Sequence, residues 1–202
     1  RSVRSVICVL LVAVLLIACN KSEESKSEED AEKGIKIGIT FDTFVLERWT
    51  RDRDVFVSTA EKLGAKVDVQ NANGNVEKQK EQIRKFIEDD MDVIVVVAVD
   101  CFRLTDEVTQ ARKKGIEVIS YDRLIQGCAT DLYITVDNEK VGALMAETMI
   151  ENLPDGGNVV MLCGPKMDTN SADVVKGFKN TIEGSNLNIA KEIYVKSWTP
   201  EN

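Results

Sequence analysis

From residue 35 onward, short runs of β-branched and apolar residues alternate with segments of helical spacing, and this rhythm constrains the fold more than any other feature of the chain. Residues 35–41, 66–70, 93–98 and 117–121 read as strands, and 47–63, 76–88 and 103–114 as helices between them. The run Val93, Ile94, Val95, Val96, Val97, Ala98 has no polar alternation, as a strand covered on both faces requires. Strands separated by whole helices are joined by crossovers and so pair in parallel. The pattern predicts an α/β fold of doubly wound, Rossmann-like parallel sheets. Turn chemistry punctuates it: Asn71-Ala72-Asn73-Gly74-Asn75 precedes the second helix, and Gly115 stands where a left-handed helix cap is needed.

Residues 132–136 read as a further short strand, after which Asp137 and Asn138 offer cap side chains to a helix reaching about residue 152. Helix capping is the favoured reading of that pair. Pro154-Asp155-Gly156-Gly157 then breaks the chain before a strand at 158–163, a helix at 171–183 and a strand at 189–195. Two strands and two helices are too few to cover both faces of a sheet, so this second unit is expected to be truncated. The expected organisation is a signal at 1–19, a disordered tether at 20–34, an amino-terminal lobe at 35–137 and the start of a carboxy-terminal lobe at 138–202.

The first two of these segments rest on composition. Arg1 and Arg4 precede an apolar run at 6–18 that is shorter than the ~20 residues a spanning helix needs and ends in Leu16-Ile17-Ala18-Cys19. The ending resembles the bacterial lipobox, which implies lipidation of Cys19, a membrane anchor and export to the outer face of the cytoplasmic membrane. Residues 20–33 are rich in Ser, Glu and Lys with no hydrophobic period, and cannot offset the entropy of ordering.

Composition also removes whole classes of chemistry. A net charge of −8 argues against a nucleic-acid partner. The absence of His, and of any Cys-x-x-Cys pair, removes the usual zinc ligand sets and His-dependent catalysis. The loop after the first strand, 42–46, has no glycine, and no phosphate-binding G-x-x-x-x-G-K-[ST] occurs. Neither an enzyme nor a cofactor or metal is expected. Cys101, Cys128 and Cys163 form an odd set; a Cys128–Cys163 or other disulfide is left open by the sequence.

In doubly wound folds, ligands sit beyond the carboxyl ends of the strands. There the chain offers Arg48 and Trp49, Asp100, Asp122 and Arg123, Asp168 and Asn170, Tyr194 and Trp198. Carboxylates and amides accept from hydroxyls, guanidinium and amide groups donate to them, and aromatic rings cover C–H faces, which is the chemistry of neutral sugar recognition. Residue type alone leaves alternatives open. Arg48 also fits a surface helix position, Trp49 a core anchor, and Asp122-Arg123 a turn with an ion pair.

A resemblance narrows these. Leu46-Glu47-Arg48-Trp49 with Asp52-Arg53-Asp54, Asn71-Ala72-Asn73-Gly74-Asn75, Tyr121-Asp122-Arg123, the run from Val136 to Gly142 and Trp198-Thr199-Pro200-Glu201-Asn202 are similar, in this order, to motifs of the D-xylose-binding branch of type I periplasmic sugar-binding proteins. The resemblance implies two lobes closing on a monosaccharide, D-xylose or a related sugar, in a monomer that serves an ABC permease or, alternatively, a histidine kinase or chemoreceptor. It implies that Arg48, Asp122 and Arg123 bond sugar hydroxyls from the first lobe, and Asn170 with Asp168 from the second. Trp49 and Tyr194 would be stacking rings, and Asp137 and Asn138 the first hinge crossing. Tyr194 stands where the branch usually has tryptophan, and the loop 163–170 departs from the branch pattern, leaving Thr169 and Asn170 as alternatives.

Overall fold

A computed structural model describes residues 34–198. The signal with Cys19, the tether up to residue 33 and the motif residues 199–202 lie outside the described residues. Every strand and helix among the described residues belongs to the compact unit Lys36–Asn202.

The expected alternation is present throughout. Strand β1 (Lys36–Phe41) leads to helix α1 (Glu47–Lys62), β2 (Lys66–Asn71), α2 (Val76–Glu88), β3 (Val93–Val96), α3 (Thr105–Lys113), β4 (Glu117–Tyr121) and β5 (Leu132–Ile134). These five strands form one parallel sheet in the order β2-β1-β3-β4-β5. The chain therefore moves outward from β1 to β2, then returns across β1 to build the other side. The switch lies between β1 and β3, and a crevice opens beyond their carboxyl ends. Helix α4 (Asn138–Asn152) then leads to a second parallel sheet, β6 (Gly157–Cys163) and β7 (Leu187–Tyr194), joined by α5 (Thr169–Ile182).

Both faces of the first sheet are covered, which is why β3 carries no polar alternation. Ile94 and Val96 pack with Ile83, Phe86 and Val108 on one side, while Val95 and Val97 pack with Ile39, Phe41 and Trp49 on the other. Gly38 lets α2 sit close to β1: a methyl group there would stand 2.6 Å from the Phe86 ring. Asn75 caps α2 by accepting from the amides of Glu77 and Lys78, and Gly115 takes φ +82 at the end of α3. In the second unit, α4 and α5 meet backbone to backbone at Gly142 and Gly177, where any side chain would collide with Val174 O and Glu139 O.

Gln79 and Gln82 of α2 point into the sheet's interior. The amide of Gln79 donates to Val97 O at 2.9 Å and its oxygen accepts from Val99 N at 2.8 Å. Gln82 accepts from Thr40 Oγ1 at 2.7 Å and donates to Asn71 O at 3.0 Å. These buried amides satisfy backbone groups that the ends of β2 and β3 leave open and so fix the rim of the crevice.

Candidate functional site

The site assembles around Arg123, two residues past the end of β4. Asp122 adopts φ +66, a left-handed backbone that Asp tolerates better than most residues. The turn is held by Asp122 N donating to Ile134 O at 2.7 Å and Arg123 N to Tyr121 O at 2.8 Å. It directs the two side chains apart. The guanidinium of Arg123 enters the switch-point crevice, where Nη1 donates to Asp42 Oδ2 at 2.6 Å, beyond β1, and to Ala98 O at 2.8 Å, beyond β3. The Asp122 carboxylate faces α1, where it accepts from Arg48 Nη2 at 2.7 Å.

The second unit reaches the same point through the turn between β6 and α5. Asp168 caps α5 by accepting from Asn170 N, so the helix begins at Thr169 rather than at the expected residue 171. Its other oxygen accepts from Trp198 Nε1 at 2.8 Å and lies 3.0 Å from Arg123 Nε. Asn170 Nδ2 donates to Asp122 O at 2.9 Å and to Asp122 Oδ2 at 3.2 Å. Of the two alternatives in that turn, Asn170 reaches the cluster, whereas Thr169 Oγ1 lies 3.9 Å from Cys101 Sγ.

Burial sets the electrostatics. Arg123 is 4% exposed, yet its proton is held more tightly than usual: desolvation opposes the charge, and Asp42, Asp168 and Asp122 together outweigh it. Asp42 shifts upward because burial outweighs Arg123's attraction. Desolvation works against Arg48 too, but Asp122 and Asp52 hold it charged. Tyr121, half-buried and donating to Asp52 Oδ2 at 2.8 Å, is pushed up to about 12 by desolvation and that bond. Each arginine is thus matched by carboxylates, and the cluster presents paired charge.

Arg48, Asp122, Arg123, Asp168 and Asn170 line a cavity of about 470 Å3, inside the ~300–1,000 Å3 typical of small-molecule sites. Its polar end holds Arg48, Trp49, Asp122, Arg123, Asp168, Asn170, Ser171 and Trp198, and its apolar end includes Met145, Met149, Leu162 and Phe178. A second hollow of about 220 Å3, bordered by Asp42, Asn73 and Pro165, lies across Arg123, Asp168 and Trp198. Five buried side-chain polar atoms among the described residues have no hydrogen-bond partner; four of them, Trp49 Nε1, Arg123 Nε, Asn170 Oδ1 and Ser171 Oγ, belong to residues of the large cavity. Arg123 Nε is close to Asp168 as an ion pair, but its N–H is not aligned on that oxygen.

Trp49 is at once core and wall: 1% exposed, edge-on to Tyr121, and roofed by the Arg48 guanidinium 4.3 Å from its ring. Asp137 caps α4 by accepting from Lys140 N at 2.9 Å, while Asn138 borders the cavity. Tyr194 stands apart from the cavity lining, with its hydroxyl on Glu192 and Lys166 Nζ 5.0 Å from its ring. The aromatic wall on this side is Trp198, which packs over Gly164. Asp100 uses its carboxylate on Phe102 N. Asp42 and Ser171 were not singled out from the sequence; for Asp42, its position immediately after the first strand is the available signal. Cys101, Cys128 and Cys163 are free thiols.

The family model of the periplasmic binding protein domain matches residues 37–202. The D-xylose-binding periplasmic protein of Escherichia coli K12 is 40% identical over 174 residues, covering 84% of this chain and 52% of that protein. The chain spans about half the length of the curated relatives it matches. Among solved structures, an ABC transporter solute binding protein from Clostridium phytofermentans with bound β-D-glucose is 30% identical with a TM-score of 0.71, covering 76% of this chain and 51% of that one. A Caulobacter myo-inositol binding protein bound to myo-inositol is 26% identical with a TM-score of 0.74, covering 79% and 55%. The chain belongs to the periplasmic binding protein family, with its α/β fold of parallel sheets.

Proposed function

We propose that the protein is an exported, non-enzymatic binding protein that holds a neutral monosaccharide, D-xylose or a close relative, and delivers it to an ABC permease. The observation that carries this reading is the gathering of unpartnered polar atoms at one cavity. Trp49 Nε1 and Arg123 Nε are donors, Asn170 Oδ1 is an acceptor, and Ser171 Oγ is both. An anion has nothing to donate to Asn170 and meets the carboxylates of Asp122 and Asp168. A cation has nothing to accept from Trp49 or Arg123. A polyol does both through each hydroxyl, and the paired charges around it need no net counter-charge. The sugar assignment is supported by the name of the Escherichia coli relative and by the neutral polyols bound in the two solved relatives.

In this reading Arg48, Asp122 and Arg123 serve the sugar from the first lobe, 35–137, and Asp168 and Asn170 from the second, 138–202. Trp49 supplies one aromatic wall, and Trp198 rather than Tyr194 the facing one. The crossing at Asp137 and Asn138 acts as hinge, and ligand shifts the protein to a closed state because both lobes touch it only there. Lipidation at Cys19 would tether the protein to the membrane.

The test is titration calorimetry of the full-length protein with D-xylose, D-glucose and myo-inositol, alongside Arg48→Ala and Asp122→Ala. Saturable binding of xylose ahead of the others, lost in both variants, is expected. Binding of none of the three sinks the reading, and binding unaffected by the substitutions sinks the site.

A further inference from the structure

We infer that Ser171 is a ligand contact that discriminates sugars by a single hydroxyl; this rests on the sugar-binding reading of the same cavity. Ser171 is 7% exposed and its Oγ has no hydrogen-bond partner among the described residues. Buried hydroxyls on helices ordinarily avoid that state by donating back to the carbonyl four residues earlier. Two helical threonines of this chain make that bond even without full burial: exposed Thr148 Oγ1 to Leu144 O and half-buried Thr181 Oγ1 to Gly177 O, both at 2.9 Å. Ser171 does not, and its place explains why. It is the third residue of α5, so the carbonyl four positions back belongs to Met167, in the turn before the helix begins. The cap at Asp168 serves Asn170 N and Trp198 Nε1 instead.

Gly164 lets the Trp198 ring lie close beside this hydroxyl: a methyl group at Gly164 would stand 2.3 Å from the ring and 2.9 Å from Ser171 Oγ. Ser171 and the Trp198 indole both line the polar end of the cavity, along with Asn170, whose Oδ1 also lacks a partner. A sugar hydroxyl placed between them donates to Asn170 and exchanges a bond with Ser171, while the ring covers the adjacent C–H surface. A sugar without that hydroxyl, or with it inverted, leaves both protein atoms unpaired, which is the condition under which a polar site rejects an analogue most strongly.

The variant Ser171→Ala removes only the oxygen and places a good helix former in the first turn. Two opposite effects are expected from it. The ligand-free protein keeps or raises its melting temperature, because a buried unsatisfied hydroxyl is gone. The dissociation constant for D-xylose, read by calorimetry, rises about tenfold, roughly one lost hydrogen bond. Among the monodeoxy derivatives of xylose, one should bind the parent about tenfold more weakly than xylose yet bind Ser171→Ala as well as xylose does. Unchanged xylose affinity in Ser171→Ala, with Asp122→Ala losing binding, overturns the role of Ser171 and leaves the sugar-binding reading standing. A lowered melting temperature with equal losses for every derivative assigns Ser171 a structural part and also overturns it. Failure of the parent to bind any of xylose, glucose and myo-inositol overturns both.

Discussion

Replacing Arg123 with methionine tests the centre of the site. The Arg123 side chain is 5% exposed and faces Asp42 at 2.6 Å and Asp168 at 3.0 Å, whose side chains are each 6% exposed. Methionine fills much of the volume, so the change is mainly electrostatic: two carboxylates are left in a poorly solvated crevice without their cation. Breaking a buried pair in this way costs about 3–5 kcal/mol, to which the lost hydrogen bond to Ala98 O adds about 1 kcal/mol. Asp42 supplies a second signature. Burial already raises its pKa in the presence of Arg123, and removing the guanidinium raises it further. A carboxyl with a folded pKa above its unfolded value of about 3.9 contributes stability that is present below that value and is lost as pH rises through the folded pKa. Arg123→Met should therefore be weakest near neutrality and recover part of its deficit as the pH is lowered and Asp42 takes up a proton. Urea unfolding across a series of pH values measures this. In the double variant Arg123→Met, Asp42→Asn, the pair should show coupling of about 0.5–3 kcal/mol, because one stranded charge is gone. A loss near neutrality below about 1 kcal/mol, or a deficit that does not change with pH, would refute the assignment of Arg123 as the buried counter-charge of both sheets.

Three further outcomes follow from the geometry. Gly38→Ala should destabilise by about 1–3 kcal/mol in urea unfolding, since the added methyl meets the Phe86 ring at 2.6 Å and Phe86 is fully buried. Gly142→Ala has a diagnostic sign: at a free helix position the change stabilises by about 0.5–1 kcal/mol, but here the methyl collides with Val174 O, so thermal melting should show a net loss as α4 and α5 separate. Tyrosinate absorbance during alkaline titration should show a component near pH 12 that disappears in Tyr121→Phe, because burial and the bond to Asp52 hold that phenol protonated. With the folded pKa above the unfolded ~10, the stability linked to Tyr121 is complete below about pH 10 and is lost as pH rises toward 12.

The parallel first sheet was legible because its causes are local. The unbroken apolar run of β3 states that both faces are covered, Asn75 and Gly115 mark helix ends by their own chemistry, and α2 occupies the expected residues 76–88. Boundaries slipped where a tertiary partner decides them. Residues 97 and 98 continue the apolar run but leave the ladder: Val97 N still bonds Thr40 O, while Ala98 turns its carbonyl to Arg123. Helix α5 begins two residues early because Asp168 caps it, a role hidden by the reading of that residue as a ligand group alone. The Gln79 and Gln82 amides gave no signal at all, since a glutamine in a helix reads as solvent-facing until the strand ends it serves are placed against it.

The site divides along the same line. Arg48, Asp122, Arg123, Asp168 and Asn170 converge because three of them follow strands or cap a helix beside the switch point, and sequence position carries that information. The aromatic wall does not obey it. Tyr194 ends β7 and Trp198 comes four residues later, and only the path of the chain after Val195 puts Trp198 over Gly164 with its nitrogen on Asp168 while Tyr194 turns to Glu192. The contrast can be measured. If Trp198 is the wall, Trp198→Ala should weaken sugar binding by about 1–3 kcal/mol through lost ring contact and exposure of Asp168, whereas Tyr194→Ala should change it by less than about 0.5 kcal/mol. The reverse ranking in calorimetry would mean that the liganded site is built on the ring that now faces away.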